Sequence, residues 1–254
     1  MWKILRASAA GTSHASSGIP CQDDCYADVF QNSGGAQYLI CVVSDGAGSA
    51  KEGGKGAELA CVAGRLSIEA TLDSSESESL DRATVESWIE NIQHVIYQEA
   101  HKNNLALRDY ACTVLGAVIS NDTAIFFQIG DGGIVVSNGN AGGIVFWPNA
   151  GLYANMTNFV TDEDAFLNLN VCSTNTRIDE ISMFSDGLQR LALSFEFRTP
   201  HLPFFEPMLK VLRRKTPADC YDLDEQLLRF LNTPQINMRT DDDKTLVLAT
   251  RRES

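Results

Sequence analysis

Three apolar runs of this chain each end in an aspartate followed by glycine, and this recurrence constrains the fold more than any other feature. The three endings are Ser44-Asp45-Gly46 after residues 38–43, Gly130-Asp131-Gly132 after residues 125–129, and Ser185-Asp186-Gly187 after residues 181–184. Apolar runs of this length are typical of buried strands. A single Asp-Gly after a strand is ordinarily a turn. Three of them favour a scaffold that brings the aspartates together.

Two more acidic positions extend the pattern. Asp242 lies just before the last predicted strand, residues 244–249, and Asp23 lies in a polar loop at residues 11–24. Because antiparallel neighbours run in opposite directions, strand starts and strand ends can meet at one edge of a sheet. Clustered carboxylates repel one another unless cations neutralise them. We call these five residues the aspartate cluster: Asp23, Asp45, Asp131, Asp186 and Asp242.

The donor set of the cluster indicates which metals to expect. Oxygen-only ligands favour Mg²⁺, Mn²⁺ or Ca²⁺ over Zn²⁺. The sequence has no His-x3-His or Cys/His set of the kind that binds zinc. The cluster therefore predicts a site for hard divalent cations.

Composition excludes several classes of function. The formal charge is −13 in 254 residues, which argues against nucleic acid or an anionic membrane as the main partner. A hydrophobic content of 44% is enough for a sizeable core. No apolar run reaches the ~18 residues of a membrane span. Seven cysteines without a CxxC pair, together with the absence of a secretory signal, predict a reducing cytoplasm.

The rest of the chain reads as one domain. Helical periodicity predicts a helix after Gly54, a long helix from Arg82, and amphipathic helices near the C-terminal end at residues 204–215 and 219–231. Residues 73–81 read as a solvated linker within the domain. The irregular stretch 147–176 is interpreted as a loop or flap, with an acidic patch at residues 162–164 and one strand at residues 166–171.

Six short pieces, in order, resemble the metal-dependent protein phosphatases of the type 2C (PPM) family, and more closely their short bacterial PphC-type branch. They are Gly11-Thr12-Ser13-His14 with Pro20-Cys21-Gln22-Asp23, Ser44-Asp45-Gly46-Ala47-Gly48, Cys112-Thr113, Gly130-Asp131-Gly132, Ser185-Asp186-Gly187 and Asp242-Asp243-Lys244-Thr245. Each piece alone is a weak signal. Together they span residues 11 to 245, nearly the whole chain.

The resemblance implies a fold and a set of roles. The fold is a four-layer αββα sandwich, with two antiparallel sheets face to face and helices on both outer sides. Asp45 would bridge two Mn²⁺ or Mg²⁺ ions, with the Gly46 carbonyl on one of them, and Asp186 and Asp242 would hold the first ion. Asp23 would reach the metals largely through water. Asp131 would help to bind a third, weaker ion.

The implied activity is hydrolysis of phosphoserine and phosphothreonine in proteins. Two divalent cations about 3.5–4 Å apart lower the pKa of a bridging water, align it and stabilise charge on the phosphoryl oxygens. The attack is in line and forms no phosphoenzyme. The implied partners are phosphorylated protein substrates and a cognate serine/threonine kinase module, and the chain is expected to be a monomer.

The chain departs from the family pattern at three places. Gly18 stands where many members carry a phosphate-gripping arginine, so His14 or Lys51 is the candidate replacement. Ala47 stands where some members have a histidine as general acid, which would leave that role to metal-bound water. Asp243 replaces the commoner asparagine after Asp242, an extra carboxylate that could alter metal preference.

Two alternatives stay open on the sequence alone. The missing arginine is compatible with a pseudophosphatase that uses the same fold as a phosphoprotein-binding regulatory module. Acidity and Asp-Gly turns are compatible with a calcium-binding structural protein, although the sequence lacks the D-x-D-x-D-G loop of an EF-hand.

Overall fold

The computed structural model describes residues 1–74, 80–139, 141–148, 157–220 and 222–253. Two five-stranded antiparallel sheets dominate it. The first sheet has the order β1-β12-β9-β6-β7. Its strands are β1 (Lys3–Ala9), β6 (Gly133–Ser137), β7 (Gly142–Ile144), β9 (Glu180–Phe184) and β12 (Lys244–Thr250).

The second sheet has the order β2-β3-β4-β5-β8. Its strands are β2 (Asp23–Gln31), β3 (Gln37–Asp45), β4 (Val114–Ile119), β5 (Ala124–Ile129) and β8 (Asn170–Thr174). Every residue of β4 and β5 is buried, because these central strands are covered on both faces. A further two-stranded hairpin pairs β10 (Leu193–Ser194) with β11 (Thr199–Pro200).

Helices cover the outer face of each sheet. The α-helices are α1 (Thr12–Ser17), α2 (Gly53–Asp73), α3 (Arg82–Lys102), α4 (Gln189–Ala192), α5 (Leu202–Arg213), α6 (Leu223–Leu231) and α7 (Pro234–Asn237). Short 3-10 turns occupy Leu107–Tyr110, Asp186–Leu188 and Pro217–Cys220. Asp81 begins α3 by accepting a hydrogen bond from the Thr84 amide, which satisfies one of the free N–H groups of the first turn.

Three apolar layers hold the four structural layers together. One lies between the second sheet and the helix pair α2 and α3, where Ile40 packs with Trp88. One lies between the two sheets, where Leu39 and Leu115 pack with Met183. The third lies between the first sheet and helices α5 and α6. Alternate residues of β3 thus enter different layers, and the predicted four-layer αββα sandwich is confirmed.

Several local predictions were wrong. The loop at residues 11–24 contains helix α1, which the sequence does not signal because it is polar and buries none of its residues. The strand predicted at residues 166–171 begins only at Asn170, because turns occupy residues 160–167. Asp23, which was expected in that polar loop, is instead the first residue of β2.

Parts of two predicted segments lie outside the described residues. These are residues 75–79 of the linker and residues 149–156 of the flap. Within the part of the chain that the structure describes, none of the helices combines the length and the hydropathy needed to cross a bilayer.

Candidate metal centre

The first two cluster residues face each other across one strand pair. Asp23 begins β2 and Asp45 ends β3, and the antiparallel register places the two residues opposite one another. Beyond Asp45 the chain passes very close to the start of α2, since a Cβ on Gly46 would collide with the backbone of Gly53. Only glycine allows this close approach, which holds the turn after Asp45 against the helix.

Ser185 joins the second sheet to the first at this edge. Its hydroxyl donates a 2.7 Å hydrogen bond to Oδ2 of Asp23 and accepts a 2.9 Å hydrogen bond from the Thr245 amide. Both Ser185 and Thr245 are fully buried. The end of β9 and the start of β12 are thereby fixed beside Asp23, and Asp186 follows directly.

The Asp186 turn packs against the loop before β12. A Cβ on Gly187 would collide with the Asp243 carbonyl, so glycine is required where these two segments touch. Asp242 lies in that loop and is exposed, whereas Asp23 is 7% exposed. The cluster therefore extends from the interior to the protein surface.

Asp131 enters the cluster from the turn between β5 and β6. The flanking residues Gly130 and Gly132 have φ angles of +98° and +111°, a conformation that side chains other than glycine rarely adopt. Oδ2 of Asp131 accepts a 3.0 Å hydrogen bond from the Thr157 hydroxyl. Segment 157–169 is thus attached to the site at its first residue.

Thr113, the residue directly before β4, holds the backbone of Asp45 in place. Its hydroxyl accepts a 3.0 Å hydrogen bond from the Asp45 amide, and its own amide donates a 2.8 Å hydrogen bond to the Asp45 carbonyl. The neighbouring Ser44 hydroxyl donates to the Thr113 carbonyl at 2.5 Å. These bonds fix the backbone that carries Asp45. Sequence reasoning assigned Thr113 to the family pattern but gave it no role.

Burial, together with the neighbouring carboxylates, raises the pKa values of four cluster residues. Burial, followed by the charges of Asp23 and Asp186, raises the pKa of Asp45 well above its ordinary value. Burial raises the pKa of Asp23 to about 7, even though the Ser185 and Thr245 hydrogen bonds act in the opposite direction.

Burial, and then the charge of Asp131, raises the pKa of Asp186 to about 6. Burial is also the main cause that raises the pKa of Asp131, with a contribution from Asp242. Four carboxyl groups are therefore held where ionisation is unfavourable without added positive charge.

The residues present fit hard divalent cations. Among the described residues, none of the cluster carboxylates forms an ion pair with lysine, arginine or histidine. Oδ1 of Asp23 and Oδ1 of Asp186 are buried and have no hydrogen-bond partner there. Buried polar atoms normally have a hydrogen-bond partner, so these two unpaired oxygens indicate that the site binds a ligand.

The cluster is not a closed metal cage. Within the described ranges, no group of three or more histidine, cysteine, aspartate or glutamate side chains is arranged to hold one metal ion. Mg²⁺ and similar ions commonly take only one or two carboxylates and keep several waters. The arrangement is therefore suited to ions that remain partly hydrated, and it does not fit a site with an all-protein ligand set.

The Asp243 carboxylate accepts hydrogen bonds from backbone amides. Its Oδ1 accepts a 2.6 Å hydrogen bond from the Gly11 amide, and its Oδ2 accepts a 2.5 Å hydrogen bond from the Gln22 amide. Oδ2 also lies 3.0 Å from Nδ1 of His14. All of these contacts hold the loop that carries α1, so the extra carboxylate serves the protein scaffold.

The two candidate phosphate-binding side chains flank the loop after Asp45. His14 is partly buried, and its Nε2 faces Gly48, where a Cβ would lie 3.9 Å away. Lys51 is exposed in the turn before α2. Either side chain is close in sequence or in space to the turn that follows Asp45.

Comparisons with known proteins identify the family of the chain. The protein phosphatase 2C family model matches residues 10–232. The chain is 40% identical over 248 residues to Serine/threonine-protein phosphatase 3 of Escherichia coli (strain K12), and the match covers 98% of each sequence.

Two solved structures show the same fold at low identity. The serine/threonine phosphatase Stp1 from Staphylococcus aureus has a TM-score of 0.58 and 16% identity, with 98% of this chain and 95% of that chain covered. PppA, a key regulatory component of T6SS in Pseudomonas aeruginosa, has a TM-score of 0.61 and 17% identity, with 98% and 97% covered.

Proposed function

The chain belongs to the protein phosphatase 2C family and is a metal-dependent protein serine/threonine phosphatase, and from this starting point we propose that the aspartate cluster holds its divalent cations. The observation that carries the proposal is a group of buried and partly buried carboxylates with raised pKa values and no cationic partner among the described residues. Buried like charges of this kind are stable only with protons or cations. In a metal-dependent phosphatase, divalent cations are the expected source of that positive charge.

Each aspartate has a distinct place in this proposal. Asp45 and the Gly46 carbonyl would hold Mn²⁺ or Mg²⁺ from within the cluster, since the charges of Asp23, Asp186 and Asp242 all add to the effect of burial in raising the pKa of Asp45. Asp186 and Asp242 would hold the first ion from the two segments that meet at Gly187. Asp23 acts largely through water from its buried position.

Asp131 is proposed to bind a third and weaker ion. Asp131 lies on a turn, and one of its carboxylate oxygens already accepts a hydrogen bond from the Thr157 hydroxyl. A single carboxylate with several waters binds a divalent ion weakly. That ion could be lost without emptying the other two positions.

When bound, the cations supply Lewis acidity, which lowers the pKa of a water and offsets charge on the phosphoryl oxygens. The protein's own residues contribute position and shape. The Ser185 and Thr113 hydrogen bonds hold Asp23 and Asp45 in place before substrate arrives. His14 or Lys51 contacts the phosphate of the substrate and takes the place of the arginine that many family members carry at the position of Gly18.

The substrates of this activity are phosphorylated proteins. A serine/threonine kinase that modifies the same proteins is the partner that the reaction itself implies. We propose that the chain works as one domain and as a monomer, since every cluster residue comes from a single copy.

The test is turnover with and without Mn²⁺. Wild-type protein freed of metal should not hydrolyse phosphoserine and phosphothreonine peptides, and added Mn²⁺ should restore hydrolysis. If the metal-loaded protein binds these peptides but turns over neither them nor p-nitrophenyl phosphate, the chain is a phosphoprotein-binding module, the alternative that the missing arginine suggests.

A further inference from the structure

A groove lies between helix α3 and segment 157–169, outside the aspartate cluster. Its cavity has a volume of 420 Å³. Glu90 and Tyr97 form the side contributed by α3, and Thr161, Asp162, Glu163 and Phe166 form the opposite side. We call this feature the α3 groove.

The two sides of the α3 groove carry the same charge. Glu90 and Glu163 are exposed, and neither has an ion-pair or hydrogen-bond partner among the described residues. The Asp162 carboxylate accepts only the Phe159 amide, at 2.7 Å. Three carboxylates therefore line one cavity that has no lysine or arginine among its described lining residues and His94 as its one imidazole, which favours an occupant that carries positive charge.

A buried hydroxyl gives an independent indication of a ligand. Thr161 lines the groove and is only 8% exposed, yet its Oγ1 has no hydrogen-bond partner in the part of the chain described. Buried hydroxyl groups are normally paired, because leaving one unpaired is unfavourable. A peptide N–H or C=O in the groove would satisfy Oγ1.

Hydrogen bonds connect segment 157–169, which forms one wall of the groove, to residues next to or within the aspartate cluster. The Val160 amide donates a 2.8 Å hydrogen bond to the Cys112 carbonyl, and the next residue, Thr113, is hydrogen-bonded to Asp45. Thr157 contacts Asp131, four residues before Thr161. Since an extended chain spans at most about 3.6 Å per residue, Thr161 lies within roughly 14 Å of Thr157.

The chemistry of the groove fits lysine or arginine. The exposed ring of Tyr97 and the partly buried ring of Phe166 can cover the aliphatic part of a long basic side chain, while its charged end reaches Glu90 or Glu163. A phosphate at the cluster and a cation in the groove would then belong to the same bound peptide.

We propose that the α3 groove binds a basic segment of the phosphoprotein substrate, about four residues from the phosphorylated side chain. This inference rests on the proposed function, because it places the phosphorylated residue at the aspartate cluster. It names a substrate class, phosphoproteins with lysine or arginine near the phosphorylation site.

The experiment compares matched phosphothreonine peptides. One series carries two lysines four residues before or four residues after the phosphothreonine, and the other carries glutamines at the same positions. The E90Q/E163Q double variant is the test. An E196Q/E225Q double variant removes the same charge at exposed positions outside the groove and serves as the control.

Wild-type protein and the control should hydrolyse one lysine peptide at least five-fold faster, as kcat/KM, than its glutamine partner. The E90Q/E163Q variant should lose most of that preference while p-nitrophenyl phosphate turnover stays unchanged. A wild-type preference below two-fold for both placements, or a preference that E90Q/E163Q retains, would overturn the proposal.

A binding measurement separates this inference from the proposed function. A fluorescent, unphosphorylated lysine peptide should bind wild-type protein more tightly than the E90Q/E163Q or T161V variant by fluorescence anisotropy, whether or not the protein turns over substrate. Equal affinities would contradict the groove assignment. Failure to hydrolyse p-nitrophenyl phosphate with Mn²⁺ would instead contradict the proposed function.

Discussion

The Ser185 hydroxyl donates a 2.7 Å hydrogen bond to Oδ2 of Asp23, across the edge where the two sheets meet. It leaves Oδ1 of the same carboxylate buried and unpartnered. Because Ser185 is itself held by the Thr245 amide, the orientation of the Asp23 carboxylate is fixed before any cation binds. Ser185 is therefore a positioning residue in the site.

Replacing Ser185 by alanine should weaken metal binding without unfolding the protein. A hydrogen bond to a charged group contributes about 1.5–3 kcal/mol, so the loss should lower Mn²⁺ affinity by about ten-fold and reduce stability. Calorimetric titration with Mn²⁺ measures the affinity. Ser182→Ala, a buried serine three residues earlier on β9, is the matched control and should leave affinity unchanged. Equal affinities for the two variants would remove Ser185 from the site.

Asp243→Asn should affect stability and leave metal preference alone. The substitution turns one of two acceptor oxygens into a donor, so either the Gly11 or the Gln22 amide loses its partner. An unpaired buried polar group costs about 1–3 kcal/mol, which should lower the melting temperature by several degrees. Thermal unfolding and the ratio of Mn²⁺- to Mg²⁺-supported turnover are the two measurements. A changed ratio with an unchanged melting temperature would place Asp243 at the metals.

Metal binding should depend on pH through Asp23 and Asp186. In the metal-free protein, burial raises the pKa of Asp23 to about 7 and that of Asp186 to about 6, whereas unfolded aspartate titrates near about 4. The folded state thus holds protons that the unfolded state releases, so the stability contributed by these groups is full below about pH 4 and is lost as pH rises towards 7.

Mn²⁺ binds the ionised carboxylates and must displace these protons at low pH. Saturating Mn²⁺ should therefore raise the melting temperature more at about pH 8 than at about pH 5.5. Differential scanning fluorimetry with and without Mn²⁺ at the two pH values gives the comparison. A larger shift at the lower pH would show that Asp23 and Asp186 do not control metal binding.

Asp131→Ala should lower activity while preserving the two tighter ions. Asp131 lies on a turn set by two glycines with positive φ, and the side chain is not needed to form that turn. We expect calorimetry to show near-normal binding of two Mn²⁺ ions and phosphopeptide turnover to fall several-fold or more. Full activity would make Asp131 a turn residue only. Loss of all Mn²⁺ binding would move it to the tighter pair.

The repeated Asp-Gly endings allowed most of the aspartate cluster to be predicted from sequence. The strand ends after Asp45, Asp131 and Asp186 follow from apolar runs, and the antiparallel pairing of β2 with β3 brings Asp23 opposite Asp45. The supporting bonds could not be predicted, because Ser185 and Asp23 are separated by 162 positions in the chain. Nothing in the local sequence sets a contact at that separation.

Other features were missed for local physical reasons. Helix α1 has no apolar periodicity and depends on outside contacts, such as the hydrogen bond from the Ser13 amide to the Asp241 carbonyl. The start of β8 was misplaced because turns bury Ala165 and Leu169 against the helices, which gives residues 166–171 an apolar character without extended backbone. Similarly, the sequence alone does not show that two residues of the acidic patch at 162–164 line the same cavity as Glu90 on α3.

The central claim, that Asp45 anchors a metal-dependent phosphatase site, is tested most directly by Asp45→Asn. The measurement is hydrolysis of a phosphothreonine peptide at saturating Mn²⁺, with the exposed Asp122→Asn as the matched control. The variant should retain less than about a tenth of wild-type turnover, a loss of at least ~1.4 kcal/mol in transition-state stabilisation, and the control should match wild type. Turnover above that level in Asp45→Asn would contradict the placement of the catalytic metals at Asp45.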